Sequence, residues 1–231
     1  MNASPGKIET ALFAVGFAMA GLVILALAWS GTAAYADIAR ANGVTGTTFV
    51  MDPAGARGSV HVDLARMVEW HQVWATFVTG GSETPAVGHG LEEWFTDEER
   101  SHMADVRRVF DSVKILIPAG MFVMALRMQR ARAHGLAPLL RLIRDGAIAA
   151  GVAVAVVGVV AAVAFDAAFL LFHQVFFPQG NFLFDPATSN LLRLYPDWYW
   201  QGITFRIGLS FIGLAAAAAV AAAVGLRRAL H

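Results

Sequence analysis

The sequence predicts an all-α membrane protein: four transmembrane helices, both termini cytoplasmic, and a small extracytoplasmic cap. Two observations carry this class. Of 231 residues, 57% are hydrophobic and only 15% charged, with a mean hydropathy of +0.58, a balance too apolar for a soluble domain. The apolar residues are also gathered into runs long enough to cross hydrocarbon, and cationic clusters stand together at one end of those runs. The formal net charge is zero, so the overall balance gives no reason to expect a nucleic-acid partner. The absence of cysteine excludes thiolate nucleophiles, disulfides and thiolate metal sites.

The first span is placed within 8–36, because Ala11 to Trp29 is an uncharged run of 19 residues, enough at about 1.5 Å per residue to cross a layer about 30 Å thick. Lys7 ahead of the run and Ala34-Tyr35-Ala36 after it also fit a signal peptide, but the run exceeds a usual h-region and a retained helix is the better reading. The cap is expected over 37–108, with glycine clusters at Gly43 to Gly58 and Gly80 to Gly90. Within it Leu64, Met67, Val68, His71, Trp74 and Val78 share one helical stripe, which predicts an amphipathic helix resting on the membrane or the bundle. His71 there reads as a packed or hydrogen-bonded histidine.

Thr96 and Glu99 have capping-box spacing and announce the second helix, whose start belongs to the cap and whose span is placed at 109–132. His102, Val106, Val109, Val113 and Leu116 form one stripe of it, and Pro118 is expected to kink it. Arg127, Arg130, Arg132, Arg141 and Arg144 then mark a cytoplasmic connection around Gly135 and Pro138. The third span is placed at 147–172 and the fourth at 203–226, both rich in small residues that permit close helix packing in a bilayer. Asp166 and Arg206, at the outer ends of these two spans, are expected to pair, either to lock the helices or to bind substrate.

Between them, 173–202 forms an aromatic extracytoplasmic loop, broken by Pro178, Pro186 and Pro196 and suited to the headgroup layer. By topology, His102 and His173 both stand at the outer interface. A histidine pair there supplies one proton acceptor and one donor near neutral pH, although each alone also reads as structural. As rivals, the pair reads as ligands of a haem or metal ion, or the chain as a non-enzymatic membrane scaffold.

Phe95-Thr96-Asp97-Glu98-Glu99 followed by His102-Met103-Ala104-Asp105-Val106-Arg107, and His173 followed by Phe176, Phe177, Asp185 and Pro186, resemble the bacterial lipoprotein intramolecular transacylase family. Arg107 stands where that family has lysine, Phe182 where tryptophan is common, and Ser189-Asn190 where a Thr-Asp pair is usual. The resemblance implies an acyltransferase that moves the sn-2 acyl chain of a diacylglyceryl-modified bacterial lipoprotein to the α-amino group of its N-terminal cysteine. It implies His102 and His173 as the catalytic pair, in contact with membrane lipids and with no metal or nucleotide cofactor. Because orientation contributes more than a single acid or base, an aromatic cage is expected from Phe172, Phe176, Phe177, Phe182, Phe184, Tyr195 and Trp198. Asp185 and Arg206 are its polar candidates, and Asp105 either orients His102 or lies on the surface.

Overall fold

A computed structural model describes residues 6–51, 58–85 and 94–229. Gly55, Gly88 and Gly90 of the expected glycine clusters lie outside these residues. In chain order the described elements are α1 (Lys7–Trp29), α2 (Thr32–Ala41), β1 (Gly46–Val50), β2 (Ser59–Asp63), α3 (Leu64–Val78), α4 (Asp97–Lys114), α5 (Leu116–Ala133), α6 (Leu136–Val163), α7 (Phe165–Phe176), α8 (Asn190–Leu194) and α9 (Asp197–Ala229). Four helices are long and apolar enough to cross a membrane: Lys7–Trp29, Asp97–Ala133, Leu136–Val163 and Asp197–Ala229. The second is interrupted at Ile115. Pro118 explains the break, since it lacks an N–H and its ring crowds the carbonyl of Lys114, four residues back. The arginine-rich connection is shorter than expected, because α6 already starts at Leu136 and carries Arg141 and Arg144. Only His134 and Gly135 separate it from α5, and Gly135 makes the turn at φ +118°.

The chain divides into two compact units. One comprises Met1–Ala26, Val113–Val163 and Phe205–His231. Here small residues set the packing, as expected where lipid supplies no hydrophobic contrast and contact depends on close approach. Gly16 and Gly120 face each other so closely that a Cβ on either would strike the other's carbonyl oxygen. Phe211 is fully buried among Ala14, Ala150 and Ala215, and its ring stands 5.3 Å from that of Phe17. Glu9 pairs with Arg127 at 3.1 Å and Arg130 at 3.6 Å. The opposite character appears on α6, where Val152, Val156, Val157, Val159, Val160 and Val163 are each more than half exposed, as suits residues bathed in lipid.

The other unit comprises Leu27–Ser112 and Ala164–Thr204. β1 and β2 pair antiparallel, from Gly46 opposite Asp63 to Val50 opposite Ser59, and Asp63 caps α3 by accepting from the Arg66 N–H at 2.8 Å. The single stripe expected for α3 understates its burial. Met67, His71, Trp74 and Val78 are buried, and so are Trp70, Val73, Ala75 and Phe77, while Ala65, Glu69 and Gln72 stay exposed, so α3 is amphipathic with a buried face broader than one stripe. Phe49 stacks on Trp70 at 4.7 Å, and Phe95 meets Trp70 and Trp74 edge-on.

Two buried polar residues tie the distant segments of this unit together. Asn190 is fully buried; its Oδ1 accepts from the Val50 N–H at 2.8 Å and its Nδ2 donates to the Val50 and Trp94 carbonyls. Glu99 is 1% exposed. Its Oε2 accepts from the Thr96 N–H at 2.9 Å while Thr96 Oγ1 accepts from the Glu99 N–H, which is the capping box. Its Oε1 accepts from Ser189 Oγ and from the Leu191 N–H, pinning the start of α4 to α8.

Candidate active site

His102 sits in the second turn of α4, on the face that buries Glu99, Met103 and Asp105. His173 sits in the last turn of α7, within the same unit. Their rings lie 6.0 Å apart, centroid to centroid, and 20° from parallel. Phenylalanines enclose both. Phe177 stands 4.8 Å from His102 and 5.4 Å from His173, while Phe184 meets His102 at 5.5 Å and Phe182 meets His173 at 5.1 Å. Phe169 and Phe172 close the side toward α7, at 4.3 and 5.5 Å from His173.

The hydrogen bonds set the tautomer of one ring. His173 Nδ1 lies 2.8 Å from the Phe169 carbonyl, which can only accept, so Nδ1 carries the proton and Nε2 keeps the lone pair. Burial lowers the pKa of His173 below the usual imidazole value, although the bond to Phe169 opposes this. His102 is 6% exposed and its Nδ1 has no hydrogen-bond partner among the described residues. Two imidazoles stacked so closely cannot both hold a charge cheaply, so the pair carries at most one extra proton near neutrality.

Asp105 is buried, and its bonds run to the loop after α7. Its Oδ2 accepts from Gln179 Nε2 and Asn181 Nδ2, each at 2.5 Å, and its Oδ1 pairs with Arg108. It therefore holds the turn that carries Phe182 and Phe184. Asn181 Oδ1 in turn accepts from Gln179 Nε2 at 3.1 Å. Arg107 is occupied elsewhere, donating to the Ser82 and Glu83 carbonyls and lying over the Phe77 ring at 5.0 Å.

The remaining sequence candidates scatter. Phe172, Phe177, Phe182 and Phe184 touch the histidine rings, whereas Phe176 packs against Phe172 at 4.7 Å with the rings tilted by 38°. Tyr195 and Trp198 belong to a second cluster with Tyr35, His71 and Tyr199, which touches the histidine cage through Trp200, whose ring lies 5.9 Å from Tyr195 and 5.5 Å from Phe169. Asp185 closes a turn by accepting from the Ala187 N–H at 2.8 Å. Asp166 is exposed in the first turn of α7, and Arg206 is half-buried on α9, in the part that belongs to the other unit. Phe169, Gln179, Asn181 and Glu99 join the site's immediate structure without having been singled out for it from the sequence. Phe169 was legible as the residue one turn before His173; the others are polar residues whose partners lie far away in the chain.

A cavity of about 350 Å³ shares Phe184 and Asn181 with the histidine site and is also lined by Thr96, Glu98, Glu99 and Asp185. Among the described residues, no group of three or more His, Asp or Glu side chains is gathered to hold a metal ion.

A helical, multi-pass membrane protein that buries two facing imidazoles in a cage of phenylalanines is equipped for proton transfer on an apolar substrate. The family described as "Lipoprotein intramolecular transacylase Lit" matches residues 84–200, which hold both histidines, and the chain belongs to that family. It is thus an acyltransferase of lipoproteins. The fold agrees with in meso structures of the membrane integral lipoprotein intramolecular transacylase Lit from Bacillus cereus. One, with a histidine-to-arginine mutation, has a TM-score of 0.73 at 14% identity, over 97% of this chain and 94% of that one. A second has a TM-score of 0.63 at 16% identity, over 96% and 97%. A third, with a histidine-to-alanine mutation, has a TM-score of 0.73 at 13% identity, over 96% and 94%. No curated protein sequence matches the chain.

Proposed function

We propose that the chain moves the sn-2 acyl chain of a diacylglyceryl-modified lipoprotein to the α-amino group of the N-terminal cysteine, leaving a lyso-form lipoprotein. The observation that carries this reading is the 6.0 Å stacking of His102 and His173 inside a phenylalanine enclosure. In the reaction the amine nitrogen bonds to the ester carbonyl carbon, the carbon–oxygen bond to glycerol breaks, and one proton passes from nitrogen to the departing oxygen. His173 suits the carrier of that proton, because its Nδ1–H is held by Phe169 and Nε2 alone is free to accept and return it. His102, facing it, suits the partner that donates to the oxyanion of the tetrahedral intermediate. The phenylalanine walls exclude water and fold the two ends of one substrate together, a contribution that reaches about 7 to 11 kcal/mol in well-oriented intramolecular reactions.

The site faces the extracytoplasmic side in this reading. Lys7, the arginines from 127 to 144 and Arg227 and Arg228 then mark the cytoplasmic side together with both termini, and 37–108 and 173–202 stand outside. Mass spectrometry of lipoprotein N-termini tests the chemistry: cells expressing the wild type accumulate the lyso-form, and cells expressing His102→Ala or His173→Ala do not. Lyso-form persisting in both variants would overturn the assignment.

A further inference from the structure

The helix that bears His173 is lightly held. Along α7 His173 is the one buried side chain among the described residues, while Leu170, Leu171, Phe172, Val175 and Phe176 are all exposed. What faces inward is the stripe Phe165, Phe169 and His173, each four residues from the next. Phe165 stacks on Phe169 at 5.7 Å, and the Phe169 ring meets the imidazole at 4.3 Å. The Phe169 carbonyl also accepts from His173 Nδ1–H at 2.8 Å. That bond runs within one helix and travels with it, so it fixes the tautomer without fixing where the ring points. The orientation of the ring has to be set from outside α7.

Trp200 is placed to do this. It is half-buried in the first turn of α9, in the same unit, and its ring lies 5.5 Å from that of Phe169. On its other side it lies against Tyr199 at 5.2 Å and Tyr195 at 5.9 Å, and Tyr195 is bonded to His71. The indole therefore stands between a buried, hydrogen-bonded cluster and an exposed helix.

We propose that Trp200 is a positioning residue for acyl transfer: by bracing the Phe169 ring it holds α7 at the rotation that keeps His173 facing His102. The inference rests on the transacylase reading and adds to it a residue that acts through Phe169. Because the brace is made by ring contact, a smaller aromatic ring retains most of it and a methyl group does not.

Purified enzyme in detergent, a synthetic peptide beginning with diacylglyceryl cysteine, and mass spectrometry of the product give kcat and KM across pH. Trp200→Ala is expected to lower kcat about tenfold with KM changed less than about twofold, because a misplaced reacting group costs rate more than binding. Trp200→Phe is expected to recover most of the loss. The acid limb of kcat/KM separates positioning from a merely structural role. Burial lowers the pKa of His173, so turning the ring toward water in Trp200→Ala moves the limb up toward 6.5, and Trp200→Phe returns it.

A second readout needs no turnover. Diethyl pyrocarbonate is expected to label His173 about tenfold faster in Trp200→Ala than in the wild type, as local opening exposes it. Exposed His134 serves as the reference, and buried His71 is expected to stay protected. Unchanged kcat and labelling in Trp200→Ala overturn the inference, as does a lower kcat with the acid limb and His173 labelling unmoved; both leave the transacylase reading intact. If the wild type does not convert the peptide, it is the transacylase reading that fails, and the labelling still decides whether Trp200 holds His173. Should His71 lose its protection in Trp200→Ala, Trp200→Leu, which keeps apolar bulk without a ring, is held to the same outcomes.

Discussion

Two histidine clusters lie within one unit of this protein, and they are built to opposite rules. His71 is surrounded by tyrosines: it stacks on Tyr35 at 4.4 Å and meets Tyr195 and Tyr199 edge-on. Both its nitrogens are engaged. Nε2 donates to the Ser30 carbonyl at 3.1 Å, which leaves Nδ1 to accept from the Tyr195 hydroxyl at 3.2 Å. His102 and His173 are surrounded by phenylalanines, which offer no hydrogen bond; His173 Nδ1 has a backbone partner, and His102 Nδ1 has none among the described residues. A buried imidazole with both nitrogens satisfied is a structural part, because any change of protonation breaks a bond. One left unsatisfied retains capacity for a substrate, at a desolvation cost that the fold must carry.

The sharpest way to break this comparison is to delete one histidine from each cluster. His173→Ala is expected to lower the rate of lyso-form production by about 10²- to 10⁴-fold, the usual contribution of a positioned acid or base, while thermal stability changes little. His71→Ala is expected to do the reverse. Loss of the ring leaves a cavity and strips partners from Ser30 and Tyr195, at about 2 to 4 kcal/mol, so the melting temperature in detergent falls by several degrees while folded enzyme keeps its activity. Equal effects on both properties from both substitutions would erase the distinction.

Acidification separates the clusters a second time. Burial pushes His71 down to about 4, against 6.5 in the unfolded chain. Between those values the unfolded state binds more protons, so the stabilisation is complete above pH 6.5 and is lost as pH falls toward 4. The loss amounts to about 3 kcal/mol, visible as a drop in melting temperature between pH 7 and pH 4.5 that His71→Gln reduces and does not abolish, because the lowered pKa of His173 adds a part of its own. For His173 the lowered pKa places the acid limb of kcat/KM below 6.5, apart from the limb near 7.7 to 8.0 that the substrate's amino group sets. A single limb above 6.5 would refute the buried, neutral His173.

A smaller effect is expected from Asp105→Ala. It frees the amides of Gln179 and Asn181, loosens the turn that presents Phe182 and Phe184, and is expected to cost about tenfold in kcat with little change in fold. Asp105→Glu should recover part of the rate if the role is to hold the turn.

What the sequence made legible divides along the same line as the chemistry. The four spans follow from uncharged runs such as Ala11 to Trp29, since a bilayer imposes a length that composition alone reveals. The capping box at Thr96 and Glu99 was readable because both partners lie within one turn. Glu99's further bonds to Ser189 and Leu191, and Asn190's to Val50 and Trp94, were not, because contacts spanning some ninety residues or more leave no periodic trace. Tyr195 and Trp198 were grouped with the histidine cage because proximity in sequence says nothing about which of two aromatic clusters a ring will join; the turn held by Asp105 directs Phe182 and Phe184 to one, and the bond from Tyr35 to the Leu194 carbonyl ties α8 to the other.

Tyr195→Phe is the mildest test and the most specific to the comparison. Burial raises the pKa of Tyr195, so its hydroxyl stays protonated and acts as donor to His71 Nδ1. Removing that oxygen makes the His71 cluster resemble the other one, with a buried Nδ1 facing a phenylalanine. The expected cost is about 1 to 2 kcal/mol, less than for deleting the imidazole, since only one bond is lost and packing is preserved. The rate should be unaffected, because the substitution leaves every ring around His102 and His173 in place. If instead lyso-form production falls as far as it does in Asp105→Ala, then Tyr195 acts in the same site as the histidine pair, and the two clusters are one.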